Sequence, residues 1–89
     1  MKPYIIDKCV EAMAKAKKSI PYLDDKIVVG FYEKGVSAGK AWRVGNKVEF
    51  NIVLAEENAS EFDNTIIHEI AHLVTYQVYP GCNSTRKRI

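Results

Sequence analysis

The pattern of apolar and polar positions along the chain changes period twice. Between Tyr4 and about Ser19, Ile6, Cys9, Val10, Met13 and Ala16 recur at steps of three and four, while Lys2, Lys8, Glu11, Lys15 and Lys18 fall largely on the other side. That spacing predicts an amphipathic helix. Pro3 suits its first turn, where a missing N–H costs nothing, and Pro21 lies just past its end. From Lys26 the period shortens. The run Ile27-Val28-Val29-Gly30-Phe31-Tyr32 is β-branched and aromatic and predicts a strand, and Glu33-Lys34-Gly35 a turn. Gly39-Lys40-Ala41-Trp42-Arg43-Val44 predicts a second strand, closed by Gly45-Asn46. Lys47-Val48-Glu49-Phe50-Asn51-Ile52 alternates polar and apolar, as a half-buried strand does. Three strands joined by short turns suggest an antiparallel meander.

After Asn51 the helical period returns. Residues 53–58 predict a short helix with Asn51 as its cap, and residues 61–79 the strongest helix of the chain. Ser60 followed by Asp63 three residues on resembles a capping box, and Pro80-Gly81 is a stop. Ile66, Ile67, Ile70, Ala71, Leu73 and Val74 are the positions that would bury this helix. The expected fold class is α+β: an N-terminal helix, a three-stranded antiparallel sheet and a C-terminal helix. Residues 1–82 form the expected domain, and residues 83–89 a flexible basic tail whose Arg86-Lys87-Arg88 carries too few charges to bind nucleic acid alone.

Composition narrows the class. Eighty-nine residues make one small domain, and a net charge of +2 gives no strong field toward nucleic acid or membrane. No apolar run approaches the roughly 18–20 residues of a membrane span, and the start lacks a signal peptide's apolar core. Two cysteines far apart, Cys9 and Cys82, do not make a disulfide scaffold, so a reducing cytoplasmic setting is expected. Small folds often add a disulfide or a metal, which leaves a metal as the possible staple.

The last predicted helix contains His68-Glu69-Ile70-Ala71-His72, and both histidines of the chain lie in it. Residues four apart share a helix face, one turn above the other. Two imidazoles so placed can share one Zn²⁺ at roughly 2.0–2.1 Å per nitrogen. Glu69 is one step, about 100°, from His68, so it flanks the ligand face. From there it could hold a water on the metal and accept its proton. The bland alternative is a pair of ordinary helix-face histidines with a solvated Glu69.

The order of Gly39-Lys40-Ala41, a strand ending in Asn51, a short helix and then His68-Glu69-Ile70-Ala71-His72 resembles the SprT-like (Spartan-type) zinc metalloprotease domain. The resemblance runs from about Met1 to Tyr79. It implies a gluzincin-like core, Zn²⁺ held by His68 and His72, Glu69 as general base, and protein or peptide substrates, with DNA association in some members. It also implies a third zinc ligand, a His beyond the motif followed by Gly and an aromatic. Here Cys82-Asn83-Ser84-Thr85-Arg86-Lys87-Arg88-Ile89 follow, and no third His exists.

Three readings stay open. The chain is a truncated form whose ligand lies on absent sequence; Cys82 substitutes as a thiolate; or the site is degenerate and the protein is a non-catalytic peptide- or DNA-associated module. The first is preferred, because one Cys after a Pro-Gly turn has no intrinsic reason to face the metal. Glu56, Glu57 and Glu61 are acidic alternatives that nothing in the sequence positions. The leading function is thus a zinc-dependent endopeptidase lacking a visible third ligand. Tyr76, four residues after His72, shares its face and is a possible oxyanion or substrate contact, though packing at a helix end is the plainer role. Trp42 is expected in the sheet core or against the N-terminal helix. Gly39 either borders a substrate groove or lets the strand pass close to the active helix.

Overall fold

Six elements follow in chain order: α1 (Lys2–Ser19), β1 (Val28–Tyr32), β2 (Gly39–Trp42), β3 (Lys47–Asn51), α2 (Ile52–Glu57) and α3 (Phe62–Val78). They come from a computed structural model that describes residues 1–79; Cys82 and the basic stretch 83–89 lie outside the described residues. The α+β class holds.

Helix α1 begins with proline in its first turn and ends where Ile20 leaves helical geometry at φ −129°. It buries Ile5, Cys9 and Met13, with Ala12 and Ala16 half-buried beside them. The expected face is therefore rotated: Ile6 and Val10 are 39% and 55% exposed. Ile5 and Ile6 are adjacent, so periodicity alone leaves the phase open by about one residue, or 100°. The stripe through Ile5, Cys9, Ala12, Met13 and Ala16 is the one that packs on the core. Burial pushes the Cys9 thiol up to about 12, which leaves it a neutral core group. Leu23, in the loop after α1, is fully buried, and its carbonyl accepts a hydrogen bond from Lys17 Nζ at 2.6 Å.

The sheet is not a meander. Its order is β1-β3-β2, with β1 parallel and β2 antiparallel to β3. Only the β2–β3 link is a hairpin, turned through Gly45 (φ 88°) and Asn46 (φ 51°). The connection through residues 33–38 instead carries the chain past the end of β3. That is a reach of two strand spacings, about 10 Å, well within six residues. The central place goes to the strand with the most to bury: Val48 and Phe50 are fully buried, whereas Lys40 and Trp42 of β2 point outward. Trp42 is accordingly an edge residue, 37% exposed under Lys47, and not part of the core.

Asn51 ends β3 and caps α2. Its Oδ1 accepts from the backbone N–H of Val53 (3.0 Å) and Leu54 (3.1 Å), as the sequence suggests. Its Nδ2 also donates to the Gly35 carbonyl in the crossover. Helix α3 starts differently from expectation. Glu61 is its N-cap and no side chain caps it. Asp63 turns instead toward α1, accepting from the Tyr4 hydroxyl and lying 3.9 Å from Lys8. Phe62, Ile66, Ile70 and Leu73 face the core, and Phe62 meets Phe50 edge to face at 5.8 Å. Ile67 (59%) and Ala71, expected to be buried, are exposed.

Candidate functional site

Helix α3 lies across β2 and β3, and this crossing sets the site. His68 and His72 project from one exposed face of the helix. Their rings stand at 89° to each other, with Nε2 atoms 3.1 Å apart. At that separation the two Nε2 atoms lie within hydrogen-bond reach of each other, with donor and acceptor set by the tautomers. The separation bears directly on metal binding. Two Zn–N bonds of about 2.0–2.1 Å at a tetrahedral angle place their nitrogens about 3.3–3.4 Å apart. The donor pair therefore fits a shared borderline ion with little movement. Among the described residues no group of three His, Cys, Asp or Glu side chains gathers around such an ion. Glu56, Glu57 and Glu61 consequently do not complete it, and Cys82 is not among the described residues.

Glu69 turns inward from the two rings and is 9% exposed. It fits there because β2 offers no side chain: a Cβ at Gly39 would lie 2.9 Å from Glu69 Cγ and 3.2 Å from Phe50 Cδ1. Gly39 thus serves close passage of strand and helix while also bordering the groove. The groove, about 480 Å³, is lined by Ser37, Ala38, Gly39, Asn64, Thr65, His68 and Glu69. The sequence reading missed Asn64 and Thr65. Four and three residues before His68, they share its helix face, and extending the motif back one turn would have found them. Tyr32 closes the crossover by donating to the Ser37 carbonyl at 2.7 Å. Burial first, then the negative charges of Glu69 and Glu49, raises its phenol above the ordinary value.

Tyr76 stacks on His72, with centroids 6.1 Å apart and planes 21° from parallel, and Arg43 lies over the Tyr76 ring at 4.7 Å. The ring is engaged through its face, a contact that the sequence does not announce.

A family model described as the SprT-like family matches residues 12–86. The chain belongs to the SprT-like family. Among its relatives, Protein SprT of Vibrio parahaemolyticus serotype O3:K6 is 37% identical over 79 residues, covering 88% of this chain and 46% of that protein. Protein SprT of Klebsiella pneumoniae (strain 342) is 37% identical over 68 residues, 75% of this chain and 41% of that protein. Protein SprT of Pseudomonas syringae pv. tomato is 44% identical over 55 residues, 61% and 34% respectively. This SprT-like chain therefore spans about half the length, or less, of the curated relatives it matches. No solved structure matches it. Among its described residues no helix is long and apolar enough to cross a membrane.

Proposed function

We propose that this SprT-like chain carries the active helix of a zinc-dependent endopeptidase acting on protein or peptide substrates. One observation carries the reading: the Nε2 atoms of His68 and His72 meet at 3.1 Å on an exposed helix face, with Glu69 buried beside them. His68 and His72 would hold zinc through those nitrogens. When bound, zinc supplies Lewis-acid polarisation of a carbonyl and acidifies water. Glu69 is the general base, a carboxylate at the groove wall able to accept a proton from water there. The gap left at Gly39 sets its position. Strand β2 is the edge of the sheet beside this groove. An extended peptide could add to that edge through backbone hydrogen bonds, with little demand on its sequence. The free, buried Cys9 suits a reducing, cytoplasmic setting.

A second reading keeps the fold without the chemistry, as a peptide- or DNA-associated module. It is favoured by the missing third donor among the described residues. Zinc content and cleavage of a denatured protein, measured with zinc in excess, separate the two. Zinc bound by both wild type and Glu69→Gln, with turnover in the wild type alone, supports the enzyme. A folded wild type that takes no zinc and cleaves nothing supports the module.

A further inference from the structure

The second histidine of the pair stands in a longer line of contacts. Arg43, just after β2, places its guanidinium carbon 4.7 Å from the centroid of the Tyr76 ring. Tyr76 stacks on His72 at 21°, and His72 directs Nε2 at His68. The turn that delivers Arg43 is itself fastened to α3. Asn46 donates through Nδ2 to the Lys26 carbonyl at 2.6 Å, and its Oδ1 accepts from Gln77 Nε2 at 3.2 Å. Gln77 is the residue after Tyr76, so hairpin and helix are tied next to the stacked ring. Gln77 also exchanges two hydrogen bonds with the Asp24 backbone, 2.8 and 2.9 Å long.

We infer that Arg43 and Tyr76 are positioning residues: the guanidinium holds the tyrosine ring, and the ring holds the His72 imidazole in the plane that presents Nε2 to a metal. This deepens the metal-site reading and rests on it. An exposed histidine on a helix samples several rotamers, and binding an ion must freeze one of them. A ring already held by a neighbouring face loses less freedom when it ligates. Aromatic stacking and cation–π contacts of this kind correspond to about three- to tenfold in affinity. The tyrosine hydroxyl has no part in the effect, which separates this role from an oxyanion contact.

The test uses the full chain, zinc titration against a competing chelator, and NMR of the His72 ring signals without metal. His68→Ala is the control for the site, and circular dichroism reports folding. We expect Tyr76→Leu to weaken zinc binding about three- to tenfold and to move and broaden the His72 signals. Arg43→Gln, on an exposed turn, should do the same to a lesser degree, and it carries the test if Tyr76→Leu does not fold. Tyr76→Phe should keep affinity and ring signals near wild type. Zinc binding that needs His68 yet is indifferent to both Tyr76→Leu and Arg43→Gln overturns the positioning role alone. Zinc binding that is absent, or unaffected by His68→Ala, overturns the metal site and the positioning role with it.

Discussion

Position 39 is where a single missing methyl group decides the geometry of the groove. Glu69 is the one buried carboxylate among the described residues, and the space it fills is the space a Gly39 side chain would take. Two effects oppose each other in Gly39→Ala. Loss of unfolded-state freedom favours the variant by about 0.4–1 kcal/mol. Overpacking against Glu69 Cγ and Phe50 costs about 1–3 kcal/mol. We expect a net destabilisation of about 1–2 kcal/mol in urea denaturation. Adding Glu69→Ala should recover part of it, giving a non-zero coupling in the double-mutant cycle. Additive effects of the two substitutions would mean that the strand does not press on this carboxylate. The sequence makes a close approach at Gly39 legible, because glycine inside a strand pattern has few other uses. It does not name Glu69 as the partner, since that depends on how α3 crosses β2. The Arg43–Tyr76 contact is hidden for the same reason.

Elements were read well by kind and less well by face and order. Each predicted helix and strand exists within about two residues of its expected bounds, because periodicity and turn residues act locally. The phase of α1 and the exposure of Ile67 depend on which neighbours the helices meet, and apolar residues that exceed one face leave that choice open. The parallel pairing of β1 with β3 is likewise non-local: a six-residue link permits either a hairpin or a crossover, and burial of Val48 and Phe50 decides. Asn51 joins these levels, since one side chain caps α2 and pins the crossover at Gly35. Asn51→Ala removes a cap worth about 1 kcal/mol and leaves buried backbone groups unpaired, for a total of about 2–3 kcal/mol. Asn51→Asp keeps the acceptor that caps α2, but it buries a charge at a site 1% exposed and sets a carboxylate oxygen against the Gly35 carbonyl. It should therefore also lower the denaturant midpoint. A midpoint unchanged by Asn51→Ala would show that neither the cap nor the crossover contact contributes.

For the molecule as a whole, the open question is how a two-histidine centre becomes a working one. The pair sits in a settled frame, with α3 tied to α1 through Asp63 and to the hairpin through Gln77. Yet catalytic zinc typically has three protein ligands and an open position, and among the described residues only two donors converge. Two imidazoles without a third donor bind less tightly and leave the ion's remaining geometry unfixed. We therefore expect this chain to take zinc weakly, to lose it to a modest chelator, and to show turnover only when zinc is in excess. Cys82→Ser then discriminates between the sources of a third ligand. If Cys82 supplies it, wild type binds zinc tightly at one equivalent and the serine variant does not. Our expectation is the reverse: weak binding, identical in wild type and Cys82→Ser, and abolished in His72→Ala. Tight binding that survives the Cys82 substitution would overturn that expectation and require a donor that neither the described geometry nor the thiol provides.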